Sequence, residues 1–149
     1  MAGKYNKFFL LTVFLMFVSL TVFSYAGDHE NFPRLPGYQP WDTQIAFGAT
    51  DFQVKADSYR SVEGYKTICS YHVSDPKKRC SAEQILSQVT QQVKRLGGTL
   101  IYEVDSDVGK RAILRYHRNE RQTWVEVLAS PDGQDYQLTI VEDSEVNRR

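Results

Sequence analysis

The stretch SAEQILSQVTQQVKRLGG, residues 81–98, decides the fold class. Ser81 and Gln84 have the spacing of a capping box, which predicts that a helix begins here. Apolar residues then recur every three or four positions, and such a stripe is typical of an amphipathic helix. The stripe consists of Ala82, Ile85, Leu86, Val89, Val93 and Leu96. Gly97 and Gly98 predict the end of this helix.

Alternating apolar and polar residues predict strands on both sides of the helix. The predicted strands are residues 43–56, 61–73, 99–104, 111–118, 122–130 and 135–142. Residues 119–120 (Asn-Glu) and 131–133 (Pro-Asp-Gly) predict tight turns, so the strands that they join run antiparallel. The order β-β-α-β-β-β-β therefore predicts an α+β fold, an antiparallel sheet with the amphipathic helix packed on one face.

The N-terminus has the three-part pattern of a secretory signal peptide, which we assign to residues 1–26. Two lysines precede an uncharged apolar run at residues 8–23, and Ser24 and Ala26 place small side chains where signal peptidase cleaves. The alternative is an uncleaved anchor, because residues 8–26 are long enough to span a bilayer. In both cases we expect the rest of the chain outside the cytosol, with membrane contact only through an uncleaved signal segment.

The 123 residues after the predicted cleavage site are enough for one domain. We expect an extended lead-in at residues 27–44, a single α+β domain at 45–143 and a frayed tail at 144–149. The net charge of this part is −2. That balance argues against nucleic-acid binding, because such proteins carry a basic stripe.

The lead-in contains DHENFPRLPGYQPW, residues 28–41, with three prolines. Proline disfavours helix at its own position and before it, so the segment is expected to be extended and docked along the sheet. The expected anchors are Phe32, Leu35, Tyr38 and Trp41. The segment also offers a possible partner-binding strip, whose residues are Phe32, Arg34, Tyr38 and Trp41.

Cys69 and Cys80 are the two cysteines of the chain. In an exported domain, two cysteines predict a disulfide bond. The alternative is a reactive thiol, although the pair lacks C-x-x-C spacing and nothing in the sequence indicates a lowered thiol pKa.

The sequence contains no G-x-S-x-G, H-E-x-x-H or glycine-rich phosphate-binding motif. His29, His72 and His117 fall in separate segments, so we predict no metal site, no cofactor and no catalytic residues. His72 and His117 are expected to face solvent. The acidic residues Glu103, Asp105 and Asp107 read as a polar hairpin turn rather than a calcium loop. A convergent cleft containing Glu103, Asp105 or His117 would instead favour a small envelope hydrolase.

Two overlapping segments, YHRNER and RQTWVEV (residues 116–127), mix aromatic side chains with arginines. Such a surface could stack on sugar rings or on a partner's aromatic residues. Ordinary cross-strand packing, with the charges on the solvent face, explains the pattern more simply, and we favour it.

Three segments resemble, in order and spacing, a periplasmic domain of unknown function that precedes the OmpA-like domain in OmpA family outer-membrane proteins. The first matches its Asp-His…Arg-Tyr-Pro-Gly opening at Asp28, His29, Arg34, Pro36 and Gly37. The second matches at Glu63, Gly64, Thr67, Ile68 and Tyr71, with Tyr65 where that domain has lysine. The third matches its closing hairpin at Trp124, Val125, Val127, Gly133, Tyr136, Leu138, Ile140 and Glu142.

The resemblance implies a non-enzymatic cell-envelope module of a Gram-negative bacterium that binds or acts as a spacer. The expected location is the periplasm, free or associated with the outer membrane, and the expected partner is an envelope protein or a cell-wall component. The OmpA-like neighbour binds peptidoglycan, and we expect this chain to lack that domain, either as a free-standing relative or as a truncated gene product. The alternative is a soluble periplasmic binder or inhibitor of another exported protein.

Overall fold

The computed structural model describes residues 27–144. The predicted signal peptide and residues 145–149 of the predicted tail lie outside this range. The elements in chain order are β1 (Tyr38–Lys55), β2 (Ser58–Val73), α1 (Ala82–Arg95), β3 (Thr99–Ser106), β4 (Gly109–Arg118), β5 (Arg121–Ala129) and β6 (Asp135–Asp143). The predicted α+β class and the predicted element order are confirmed.

The six strands form one antiparallel sheet in the order β1-β2-β6-β5-β4-β3. The four strands after the helix are joined by tight turns and pair in sequence. The last of them, β6, then pairs with β2, so the N-terminal hairpin completes the sheet at its far side.

The helix begins and ends as predicted. The Oγ of Ser81 accepts a hydrogen bond from the backbone N–H of Gln84 at 3.2 Å, and the Gln84 Oε1 accepts one from the Ser81 N–H at 2.8 Å. Gly97 follows with φ +80°, a left-handed conformation that glycine adopts without strain. The apolar stripe of α1 is buried against the sheet, and we call this side of the sheet the helix face.

The lead-in closes the helix-face core. Phe32, Leu35 and Tyr38 are almost completely buried there, which confirms three of the four expected anchors. The Leu35 N–H donates to the Tyr136 hydroxyl at 3.0 Å, and the Tyr38 hydroxyl donates to the carbonyl oxygen of Gly133 at 2.6 Å. The expectation that Trp41 is the fourth anchor was wrong, because Trp41 lies in β1 and 65% of its surface is exposed. Strand pairing already starts at Tyr38, five residues before the predicted strand.

The N-terminal hairpin, β1 and β2, extends beyond the part of β2 that pairs with β6. In the described part of the chain, β2 pairs with β6 from Gly64 to His72 only, although the β1–β2 pairing continues beyond Gly64. We call this continuation, residues 49–63, the arm. The arm curls over the side of the sheet opposite the helix, which we call the arm face.

A second hydrophobic cluster lies under the arm. Phe52 of the arm stacks on Trp124 of β5 with ring centroids 5.5 Å apart. The guanidinium groups of Arg60 and Arg115 each lie 5.4 Å from the Trp124 ring centroid. The buried members of this cluster are Phe52, Val62, Ile113, Trp124 and Val141. Each face of the sheet thus has its own core.

Two glycines face each other where the arm leaves the sheet. Gly48 and Gly64 are directly paired in the β1–β2 register. A Cβ atom at Gly64 would overlap the carbonyl oxygen of Glu142, whereas a Cβ atom at Gly48 would meet no atom within 4 Å. The close approach of β6 therefore requires glycine at position 64.

The predicted disulfide is not formed, since Cys69 and Cys80 are both free thiols. Cys69 is buried on β2, and its Sγ lies 3.8 Å from the carbonyl oxygen of Gly27. Cys80 precedes α1, and its Sγ lies 3.7 Å from the Lys78 carbonyl oxygen and 3.5 Å from the Gln88 Nε2. The two sulfur atoms have separate sets of neighbours because one faces the core under the lead-in and the other faces the start of the helix.

Candidate functional site

The structure disperses the predicted partner-binding strip. It buries Phe32 and Tyr38, so these two side chains support the core instead of meeting a partner. Arg34 remains at the surface, where its Nε lies 2.9 Å from the Asp28 carboxylate. Trp41 is exposed, but it lies on the neighbouring strand rather than in an extended lead-in.

The three histidines remain in separate places. His72 and His117 are exposed on their strands, as predicted. His72 has its Nδ1 2.7 Å from an Asp135 carboxylate oxygen. His29 is partly buried, and its Nδ1 accepts a hydrogen bond from the Asn31 N–H at 3.2 Å. Within residues 27–144, no three His, Cys, Asp or Glu side chains converge to hold a metal ion.

The predicted hairpin turn lies between β3 and β4 and contains Asp107, whereas Glu103 and Asp105 are paired residues of β3. The Lys110 ammonium lies 2.9 Å from the Asp105 carboxylate and 3.1 Å from that of Glu83. These bonds raise the pKa of Lys110 above its ordinary value. The arrangement ties the hairpin to the first turn of the helix.

The tryptophan of the arginine-rich segment is a packing residue. Trp124 is only 1% exposed, because Phe52 covers one side of its ring. The prediction of ordinary cross-strand packing is therefore confirmed for Trp124. The alternative, in which Trp124 stacks on a sugar ring or on a partner's aromatic residue, is wrong.

The arginines of the same segment line a polar cavity on the helix face. The cavity has a volume of about 580 Å³ and lies between the start of the lead-in, the β4–β5 turn and the end of β6. We call it the polar cavity. Its lining residues are Glu30, Asn31, Tyr116, Arg118, Asn119, Arg121, Thr123 and Glu142.

A two-residue turn places both cavity arginines on the same side. Asn119 and Glu120 have φ values of 52° and 62°, the left-handed conformation of a tight hairpin turn. Arg118 and Arg121 are consequently paired directly across β4 and β5. The Asn-Glu turn was predicted, but its consequence for the two arginines was not.

Neighbouring polar groups hold the charged side chains of the polar cavity. The Arg118 Nη1 donates to the Asn31 Oδ1 at 3.1 Å, and the Arg121 Nη1 donates to the Glu142 Oε2 at 3.3 Å. The Tyr116 phenol has a raised pKa, mainly because it is buried. The cavity therefore presents two guanidinium groups, the two carboxylates of Glu30 and Glu142, and a neutral phenol.

An aromatic pair continues the polar cavity toward the sheet edge. Tyr65 lies directly opposite Glu142 in the β2–β6 register, and Phe47 lies directly opposite Tyr65 in the β1–β2 register. Their ring centroids are 5.3 Å apart, in an edge-to-face arrangement. Tyr65 is exposed because the helix packs on β3, β4 and β5 and does not cover this part of the sheet.

A smaller cleft of about 210 Å³ lies beside Trp41. Its other apolar lining side chains include Val108 and Leu128, and the Ser70 and Gln137 side chains contribute a 3.1 Å hydrogen bond to its floor. The cleft has fewer charged groups than the polar cavity, which makes the polar cavity the stronger candidate for a binding site.

The fold and the polar cavity define a small α+β domain with charged groups of both signs beside exposed aromatic rings. No protein-family model matches the sequence, and no curated protein matches it significantly. The resemblance to the domain that precedes OmpA-like domains therefore stays a prediction. Among residues 27–144, no helix is both long enough and apolar enough to span a membrane.

Proposed function

We infer that the protein is a non-enzymatic binding module of the bacterial cell envelope, and that the polar cavity is its binding site. One observation carries this proposal: Arg118, Arg121 and Glu142 surround a cavity that opens beside the exposed Phe47–Tyr65 pair. The envelope location rests on the signal-peptide pattern at residues 1–26. The expected ligand is a cell-wall component or a polar group of an envelope protein.

The polar cavity suits recognition of a ligand with acidic and hydroxyl groups. Guanidinium groups match carboxylates through two parallel hydrogen bonds. Here Arg118 and Arg121 each make one hydrogen bond, to Asn31 and Glu142 respectively, and a guanidinium group has five N–H donors with which to bind a ligand as well. The faces of Tyr65 and Phe47 provide apolar contact area beside these polar groups.

Co-sedimentation with isolated peptidoglycan sacculi tests this function. Both hydrophobic clusters lie within residues 27–144, so a chain that begins at Gly27 keeps the whole described fold. We expect this chain to pellet with sacculi and to be released by free muropeptides. Arg121→Ala should weaken binding at least about tenfold, because a hydrogen bond to a charged group contributes roughly 1.5–3 kcal/mol.

Arg95→Ala is the matched control, because Arg95 is an exposed arginine in the last turn of α1, outside the polar cavity. It should pellet like the unchanged chain. If the unchanged chain stays in the supernatant, direct wall binding is excluded and a spacer or a protein-binding role takes its place. If it pellets and the Arg121→Ala variant pellets equally, the polar cavity is not the site.

A further inference from the structure

β1 is an edge strand with little protection against pairing. In the described residues it has a strand neighbour, β2, on one side only. Its central run, Thr43–Thr50 (TQIAFGAT), contains no charged residue and no proline. Natural edge strands usually carry lysine, proline or a bulge that prevents pairing with another chain. The irregularities of β1 lie outside this run, next to Trp41 and Val54.

The same run carries exposed apolar side chains on the helix face. Ile45 is 73% exposed and Phe47 is 54% exposed. Both lie on the same face as Tyr65, because Ile45 pairs with Thr67 and Phe47 pairs with Tyr65. An added strand at this edge would therefore gain backbone hydrogen bonds and apolar contacts together.

We propose that β1 pairs antiparallel with β1 of a second copy of this chain, which joins two six-stranded sheets into one. A two-fold axis perpendicular to the sheet keeps the helix faces of both copies on the same side. Because successive side chains alternate between faces, odd-numbered positions must then lie opposite odd-numbered positions. This condition restricts the allowed registers.

The allowed register with Ala46 opposite Ala46 of the second copy fits the side chains best. Ile45 then lies opposite Phe47 of the second copy, and Phe47 lies opposite its Ile45. The flanking Tyr65 of each copy extends this cluster on the same face. Six apolar side chains that are exposed in the single chain thus become one contiguous patch at the two-fold axis.

The charges of β1 are compatible with the same register. The central run is bounded by Asp42 and Asp51. A shift by one residue would place these two carboxylates opposite each other, but the two-fold symmetry excludes that shift. With Ala46 at the axis, Asp42 lies opposite Thr50 of the second copy. No like charges are then directly opposed, so the pairing carries no repulsive contact of the kind that destabilises sheets.

The interface is small, so the dimer is expected to be weak. An interface of roughly 1,000–1,200 Å² is near the lower limit for stable association. We therefore expect a dissociation constant on the order of micromolar.

Sedimentation equilibrium of the chain from Gly27 measures this association. We expect a monomer–dimer equilibrium, which Ile45→Lys weakens at least tenfold because the substitution acts twice at the two-fold axis. Ile45 lies outside the polar cavity, so this test does not depend on ligand binding. Val108→Lys is the matched control, since Val108 is an equally exposed apolar residue at the β3–β4 turn. It should leave the dimer unchanged.

Cross-linking tests the register itself. In a Cys80→Ser chain, Ala46→Cys should form a disulfide-linked dimer under mild oxidation, because directly opposed Cα atoms lie about 4.5–5.5 Å apart. Gln44→Cys should not, because two copies of position 44 would be roughly 13 Å apart along the strands.

If the chain stays monomeric at protein concentrations up to about a hundred times the expected micromolar dissociation constant, the proposal is wrong. That outcome includes the case in which β1 pairs with another exported protein instead of a second copy. A dimer that Ile45→Lys leaves intact overturns it as well, because a different surface must then hold the two copies together. Equal cross-linking at positions 44 and 46 would overturn the register.

Discussion

At the scale of single residues, the fold opposes protonation of His29. Burial lowers its pKa below the ordinary value of 6.5, although the Glu30 and Glu142 carboxylates act in the opposite direction. Its Nδ1 also accepts the Asn31 N–H, a bond that the protonated ring cannot accept. The folded chain therefore favours the neutral imidazole.

This preference predicts a pH dependence of stability. As the pH decreases below about 6.5, the unfolded chain takes up a proton at His29 before the folded chain does. The free energy of unfolding therefore decreases as the pH decreases. We expect His29→Gln to lose less stability than the unchanged chain between about pH 7 and pH 5, as measured by urea denaturation. His117→Gln, at an exposed histidine of β4, should behave like the unchanged chain. Equal losses in all three chains would contradict the assignment.

The two thiols are predicted to differ in reactivity. Burial raises the pKa of Cys69 and hides its sulfur, whereas Cys80 is partly exposed. In folded protein without a reductant, we expect one thiol per chain to react with an alkylating reagent, and peptide mass spectrometry should locate it at Cys80. Unfolding should release the second. If neither thiol reacts until a reductant is added, the disulfide expected from the sequence forms in solution.

At the scale of elements, the bend of the N-terminal hairpin depends on one glycine. Gly64→Ala forces a methyl group against the Glu142 carbonyl oxygen, so it should reduce the free energy of unfolding by about 3 kcal/mol. Gly48→Ala makes the same change at the directly paired position, where space is open, and should be neutral or stabilising by about 0.5 kcal/mol. Urea denaturation compares the two variants. Equal effects would show that the close approach at Gly64 is not what the fold requires.

The helix could be predicted from sequence because its signals are local. The capping box needs only Ser81 and Gln84, and the apolar stripe repeats within the same segment. The arm could not be predicted in this way. The alternation of apolar and polar residues places Phe52 and Val62 in strands. It does not indicate that the hairpin extends beyond the end of β6 and packs over Trp124. That information lies in strand lengths and in a contact between distant parts of the chain.

The candidate site was beyond sequence reasoning for a similar reason. Asn31 and Arg118, which bond to each other in the polar cavity, are separated by 87 positions in the chain. The exposed state of Tyr65 depends on where the helix ends in space rather than on the pattern of its own strand. The arginine-rich segment did attract attention, but partly for Trp124, which packs on the arm face and does not line the cavity.

At the scale of the whole molecule, the lead-in is an integral part of the core. A chain that starts at Tyr38 loses Phe32 and Leu35, and each buried side chain of this kind contributes roughly 2–5 kcal/mol. We expect a loss of about 5 kcal/mol or more, which is comparable with the total stability of many domains. Thermal unfolding followed by circular dichroism measures this loss.

Arg34→Ala in the chain from Gly27 is the control for this truncation. It removes the exposed ion pair with Asp28 but keeps both apolar anchors. Such a pair contributes at most about 1 kcal/mol, so the melting temperature should change little. A truncated chain that melts like the chain from Gly27 would show that the lead-in is not docked in solution.

The packing of the arm on Trp124 also gives the molecule an internal optical reporter. The chain has two tryptophans, of which Trp41 is 65% exposed and Trp124 is 1% exposed. The emission spectrum should therefore combine a component that acrylamide quenches easily with a blue-shifted component that it does not reach. Any event that lifts the arm from the sheet would hydrate Trp124 and merge the two components. Movement of the arm can thus be followed by intrinsic fluorescence in the unlabelled protein.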